Sequence, residues 1–269
     1  MSPLDPLPTP DARPPREIAH LVEQAGVTKA NTDALTLFVL ALLAGAFISL
    51  GGLLFTVIVT GSTLGFGLTR LVGGVGFSLG LILTVIAGAE LFTGNNLIAM
   101  AWASGLIGLR KVLRNWLIVY TGNMLGALAT AQLVLWADVA SLGGGEVGHT
   151  AVNIATAKVA LPFAVVFARG ILCNALVCLA VWLAMGGRTV ADRIAAIVFP
   201  ITAFVTMGFE HSIANGFFLP YGAALASAGA IPLDAILRNL VASTLGNIIG
   251  GTLLVAGVYW VAYLRKGRG

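Results

Sequence analysis

Between Arg70 and Arg110 the chain holds one formally charged residue, Glu90, and between Arg193 and Asp234 it again holds one, Glu210. Each of these apolar stretches is about 40 residues long. As a straight α-helix either would run about 60 Å, twice the ~30 Å hydrocarbon core of a bilayer. Each is therefore two helices or one helix that breaks. The composition fixes the solvent: of 269 residues 58% are hydrophobic and only 10% charged, where a soluble domain carries about 25%. That excludes a soluble globular enzyme, a disordered chain and a disulfide scaffold.

The stretches 34–61, 112–137, 159–187 and 234–264 each fit one span with room for tilt. Reading the two long stretches as one broken span each gives six spans; reading them as two each gives eight. The positive-inside bias decides. With six, Arg13, Arg16, Lys29, Arg110, Lys111, Arg114, Arg188, Arg193, Arg265, Lys266 and Arg268 share the cytoplasmic side, and only Arg70, Lys158 and Arg238 lie opposite. With eight, that bias collapses. The net charge of +4 thus reports orientation, not nucleic-acid binding; the expected location is the plasma (inner) membrane with both termini cytoplasmic. Six of the ten prolines fall in residues 1–15, an expected disordered stretch without a signal-peptide layout. Ile18, Leu21, Val22 and Ala25 recur at helical spacing after Pro14 and Pro15, which predicts a short amphipathic helix on the membrane surface. Asn31, Thr32 and Asp33 offer N-caps for the first span.

The two interruptions are copies. Gly88 to Asn95 and Gly208 to Asn215 both read Gly-x-Glu-x-x-x-x-Asn, at an offset of 120 residues. Arg114-Asn115 followed by Gly122-Asn123-x-x-Gly126 is echoed by Arg238-Asn239 followed by Gly246-Asn247-x-x-Gly250, at an offset of 124. Three spans per copy insert the second copy upside down. The expected fold is an all-α membrane protein of six transmembrane helices, arranged as two inverted three-helix repeats with broken second and fifth helices. The division is 1–33, a cytoplasmic tail with the amphipathic helix; 34–137, the first repeat; 138–158, an extracytoplasmic loop; 159–264, the second repeat; and 265–269, a cytoplasmic tail. Mirrored broken helices belong to transporters and channels, with the breaks facing a protein-lined path. Half-helix N-termini pointing inward favour an anion.

His211 is the sharpest candidate, because an ionisable residue inside a span is a functional hypothesis by default; the alternative is a neutral ring satisfied by a neighbour. Glu90 and Glu210 would repel an anion, so they are read as acceptors for donors freed at the breaks. Asn95 and Asn215 are read as caps of the helices that follow. Thr93 is open between substrate contact and break stabilisation, and Lys158 between drawing anions to the outer mouth and snorkelling. Asn174 is placed to orient His211. Arg169, inside the fourth span, has no assigned role. Phe77, Leu81, Phe92 and Phe204 are packing residues or apolar constrictions. Cys173 and Cys178 lie on different helix faces and are read as packing, not a disulfide or metal pair. Glu210-His211-Ser212 has triad-like residue types, but neighbours on a helix point about 100° apart, so no relay forms. No metal-ligand set, P-loop or axial haem pair is present in the sequence, so no enzyme and no cofactor is expected.

GAELFTGN (88–95), GFEHSIANGFFLPYG (208–222), GILCNALVCLA (170–180) and Phe77-Ser-Leu-Gly-Leu81 resemble signature regions of the formate/nitrite transporter family, over about residues 15–265. Aquaporins share the general layout, but their Asn-Pro-Ala motifs are missing. The resemblance implies an aquaporin-like protomer in a homo-pentamer with one pore each. It puts the pore histidine on His211, the loop threonine on Thr93, the vestibule lysine on Lys158 and the histidine-supporting asparagine on Asn174. It implies an outer constriction at Phe77, Leu81 and Phe204 and an inner one at Leu91, Phe92 and Val177. The expected partners are a small anion and membrane lipid, with no nucleic acid. Formate is the expected anion; Gly94-Asn95 leaves nitrite and hydrosulfide open. A neutral-solute channel and a membrane-anchored regulator are the competing classes, separable by flux.

Overall fold

The computed structural model describes residues 12–265; the proline-rich residues 1–11 and the tail residues Lys266 and Arg268 lie outside the described residues. The helices are, in chain order, α1 (Pro15–Asn31), α2 (Ala34–Val59), α3 (Gly65–Ile86), the short α4 (Ala99–Ala103), α5 (Leu109–Trp136), α6 (Glu146–Val159), α7 (Phe163–Gly186), α8 (Val190–Thr206), α9 (Ser212–Leu225) and α10 (Leu233–Leu264). Beyond Ile249, α10 is mostly π-helical. Among the described residues, α2, α3, α5, α7 and α10 are long and apolar enough to cross a membrane. Large side chains such as Phe66, Phe199 and Trp136 are exposed, a surface that suits lipid or a neighbouring subunit and not water.

The helices pack in two matching sets. α2 lies against α3 and α5, α7 lies against α8 and α10, and α3 meets α8. Glycine sets the closeness. A Cβ on Gly126 would collide with the Leu42 carbonyl of α2, and one on Gly250 with the Ile171 carbonyl of α7. The helix axes approach until backbone meets backbone, as small residues permit in membranes.

Both α3 and α8 end at the glycine of the repeated motif. Gly88 has φ +84° and Gly208 φ +71°, left-handed values that only glycine adopts without strain. Ala89 N then donates to Thr84 O at 2.8 Å, and Phe209 N to Phe204 O at 3.0 Å, closing a Schellman turn in each copy. Leu91 to Thr93 are not helical, and a 3₁₀ turn (Gly94–Ile98) leads into α4, whereas α9 starts directly after His211.

Two expectations change. The 138–158 segment is not an irregular loop: after a kinked 3₁₀ stretch (Val139–Gly145) it forms α6, which packs on α9. The amphipathic helix runs on to Asn31, and its apolar face does not rest on lipid alone. Ile18, Ala19 and Val22 pack with Leu97, Met100 and Trp182. The N-cap is Asp33, whose carboxylate accepts from Thr36 N at 3.0 Å.

Candidate functional site

Each break is held by the same set of side chains. At the first, Glu90 Oε1 pairs with Lys29 Nζ at 2.6 Å and Oε2 accepts from Asn95 Nδ2 at 2.7 Å. Asn95 Nδ2 also reaches Asn115 Oδ1 at 3.0 Å, and Asn115 Nδ2 donates to Lys29 O at 3.0 Å. At the second, Glu210 Oε1 pairs with Lys158 Nζ at 3.0 Å and Oε2 accepts from Asn215 Nδ2 at 2.7 Å. Asn215 Nδ2 reaches Asn239 Oδ1 at 2.8 Å, and Asn239 Nδ2 donates to Lys158 O at 3.1 Å.

A second pair of asparagines holds the freed backbone. Asn123 Oδ1 accepts from Phe92 N at 2.8 Å while its Nδ2 donates to Ala41 O and Glu90 O at 2.7 and 2.9 Å. Asn247 Oδ1 accepts from Ser212 N at 2.9 Å while its Nδ2 donates to Gly170 O and Glu210 O at 2.8 and 2.9 Å. Buried backbone groups without helical partners are costly, and these amides satisfy them.

Two cavities flank the breaks. One, of about 460 Å³, is lined by Lys29, Glu90, Asn95, Leu81 and Leu91 with Arg13 and Arg193. The other, of about 430 Å³, is lined by Lys158, Glu210, Asn215, Phe77, Phe204 and His211 with Arg70 and Arg169. Each wall carries more basic than acidic side chains, so each presents a field that attracts anions. In the second cavity Lys158 Nζ sits 5.7 Å from the Phe218 ring centre, and the Arg70 guanidinium 5.3 Å from that of Phe55. Arg70 Nη2 donates to Val205 O, and Arg169 Nη1 to Gly208 O at 3.4 Å, so both arginines satisfy carbonyls at the end of α8.

Phe77, Phe204 and His211, all buried, form one wall of the second cavity. Phe77 meets Phe204 edge-on at 5.6 Å, and Phe204 stacks on His211 at 5.9 Å. At this wall Thr93 Oγ1 and His211 Nε2 lie 3.1 Å apart, both residues almost wholly buried. His211 is also the N-cap of α9: its Nδ1 accepts from Ala214 N at 3.1 Å. Nδ1 is therefore the lone-pair nitrogen of the neutral ring and the hydrogen sits on Nε2. Nε2–H donates to Thr93 Oγ1, leaving the Thr93 hydroxyl hydrogen for a further acceptor.

The readings of the asparagines need correction. Asn95 and Asn215 do not cap the following helices; both reach back to the glutamates, and His211 does the capping at α9. Asn174 does not touch His211. Its Nδ2 donates to Asn247 O at 2.7 Å, Asn96 Oδ1 at 2.8 Å and Thr93 O at 3.2 Å. Leu81 lines the Lys29 cavity and not the one lined by Phe77 and Phe204. Leu91 lines that same Lys29 cavity, whereas Phe92 and Val177 are buried and line neither. Phe92 packs edge-on against Trp116 and Tyr120 instead. Cys173 and Cys178 are free and buried, and Cys178 Sγ donates to Thr93 O at 3.3 Å.

The sequence reading missed Lys29 as the counterpart of Lys158, the cavity positions of Arg70 and Arg169, and the bracing by Asn115, Asn123, Asn239 and Asn247. A signal for the asparagines existed, since they marked the repeat in register with the breaks. None existed for Lys29, an ordinary charge on a polar segment.

A sequence model described as formate/nitrite transporter matches residues 16–261. The chain is 42% identical over 270 residues to "Formate channel FocA" of Escherichia coli (strain K12), covering 94% of this chain and 95% of that protein. It is similar to a solved structure titled "Pentameric formate channel with formate bound", with TM-score 0.81 and 38% identity over 86% of this chain and 98% of that one. It is also similar to a structure titled "FNT family ion channel", with TM-score 0.84 and 29% identity over 91% and 98% of the two chains. With its membrane-crossing helices and paired cavities, the chain is an integral membrane protein that belongs to the formate/nitrite transporter family.

Proposed function

We propose that the protein is a channel-like transporter of small monovalent anions, with formate as the substrate, and that each protomer of a homo-pentamer encloses one pore. The observation that carries this reading is the buried Thr93–His211 hydrogen bond, 3.1 Å long, at the wall of the second of two cation-lined cavities. The relatives named for formate and the pentameric neighbour support the substrate and the assembly.

The topology proposed is six spans in two inverted copies. α3 with α4 and α8 with α9 are the broken second and fifth spans, and the Lys29 cavity is cytoplasmic with both termini. The matched contacts around Glu90 and Glu210 support the copies; the asymmetry of basic residues supports the orientation. The segment boundaries are those given above, with α6 on the outer side.

In this reading an anion is drawn by Lys158, Arg70 and Arg169, crosses the Phe77–Phe204 constriction and meets the Thr93 hydroxyl hydrogen, whose oxygen His211 Nε2–H holds. It leaves past Leu91 towards Lys29. Stripping water from a bare anion among apolar walls is costly. The Thr93 O–H, held in line by His211, offsets part of that cost, and passage as the neutral acid, with a proton supplied near His211, reduces it further. Proteoliposome flux of formate, nitrite, hydrosulfide, acetate and lactate at several pH values tests the reading. Formate uptake abolished, or stripped of its pH dependence, in His211→Phe is the expected result. Unchanged flux with an unchanged pH profile sinks the role of His211, and water or glycerol permeation without any anion flux sinks the anion channel.

A further inference from the structure

The two copies solve one packing problem in different ways. Contacts fix their correspondence. Lys29 matches Lys158, and Ala41 O matches Gly170 O as acceptors of the bracing asparagines. Asn174 therefore corresponds to Gly45. By the offset of the breaks, Asn96 corresponds to Gly216 and Thr93 to Ile213. In the first copy α2 meets α5 directly at Gly45, where an added Cβ would strike Asn123 O. In the second copy the Asn174 amide fills that gap and donates to Asn247 O. The mirrored positions of both amides are glycines, Gly45 and Gly216, so the fold of a copy does not require an amide there.

Asn96 and Asn174 are fully buried, and burying two amides among helices is costly unless each is bonded. Both are. Asn96 Oδ1 accepts from Asn174 Nδ2 at 2.8 Å, and Asn96 Nδ2 donates to Phe92 O at 3.2 Å. The two hydrogens of Asn174 are claimed most closely by Asn247 O and Asn96 Oδ1, with Thr93 O third at 3.2 Å. Gly251 lets α10 close over the pair: a Cβ there would lie 2.5 Å from Asn174 Nδ2 and 2.7 Å from Asn96 Cβ. The Phe92 carbonyl before Thr93 is thus held by Asn96, and the carbonyl of Thr93 itself lies 3.2 Å from Asn174 Nδ2 and 3.3 Å from Cys178 Sγ.

The geometry points to Asn96 as a positioning residue for Thr93: with Asn174 it fixes the loop backbone so that the Thr93 hydroxyl stays aligned with His211 and with the permeating anion. This rests on the pore reading above, and the test separates the two. Formate flux into proteoliposomes is measured for Asn96→Ala, Thr93→Val and the double variant, with Asn96→Thr as the conservative replacement. Thr keeps an acceptor for Asn174 and a donor for Phe92 O. Asn96→Ala is expected to lower flux about five- to tenfold, the effect of one buried hydrogen bond, and to shift its pH profile. It should add nothing in the Thr93→Val background, and Asn96→Thr should stay within about twofold of the parent. Equal losses with and without the Thr93 hydroxyl overturn the inference and leave the pore reading standing. An inert Thr93→Val overturns the pore reading and this inference with it. Asn96→Ser replaces Ala if the alanine variant does not reach the membrane, and loss of both from the membrane marks Asn96 as purely structural and overturns the proposal.

Discussion

The loop after α3 and the loop after α8 share a brace and differ in what it presents. Each has a left-handed glycine, a lysine-paired glutamate and two bracing asparagines within hydrogen-bond distance. Inside that common frame the second loop places His211 where the first has Leu91, and the first places Thr93 where the second has Ile213. The two polar residues come from opposite copies and meet at 3.1 Å. The two loops share a frame of matching contacts, and differences at a few positions supply the polar pair. A further difference is burial. The Glu210 side chain is 3% exposed and its lysine 17%, against 14% and 29% at Glu90 and Lys29.

The sharpest way to break this comparison is to move the histidine to the other copy. The double variant His211→Leu, Leu91→His should transport formate about a hundredfold more slowly than the parent, because a bare anion then crosses without a Thr93 hydroxyl aligned by His211. Ile213, Gly216 and Gly45 offer the moved imidazole no partner. Near-parental flux would show that the two copies are interchangeable.

The burial difference gives the next effect. Glu210→Ala strands the Lys158 ammonium and the Asn215 amide in a nearly dry site and should cost about 3 kcal/mol. Glu90→Ala leaves Lys29 better hydrated and should cost about 1 kcal/mol. Thermal unfolding in detergent measures both, and equal shifts would refute the ranking. The smallest contrast concerns packing. Gly126→Ala and Gly250→Ala press a methyl onto equivalent carbonyls, so each should destabilise by about 2 kcal/mol. Their melting shifts should agree closely, and a harmless substitution on one side would mean that the copies do not pack alike.

How much was legible can be argued residue by residue. Glu90 and Glu210 stood out because a lone charge in a long apolar stretch has few tolerable fates, and the Gly-x-Glu motif named the turn that ends each helix. His211 and Thr93 were legible as polar residues at the breaks. The partners of Asn174 were not, because the Asn247 carbonyl of α10, the Thr93 carbonyl and the Asn96 side chain converge on it from distant parts of the chain. Asn95 was misread as a cap because capping is the local habit of asparagine, while the nearby carboxylate is a stronger acceptor. The helix at 146–159 carries His149, Thr150, Asn153 and Thr156 and has no apolar run to announce it. Its packing on α9 supplies what its composition lacks.

Local chemistry thus settled what the sequence could settle alone: the solvent, the places where helices must stop, and the recurrence of the Gly-x-Glu motif. These follow from hydropathy, glycine φ and spacing, which act over a few residues. The tertiary structure decided which lysine answers which glutamate and that Thr93 rather than Asn174 bonds His211. It also decided which residues line each of the two cavities. Those outcomes depend on distances between residues about 50 to 120 positions apart, and only the packing of one helix against another sets them.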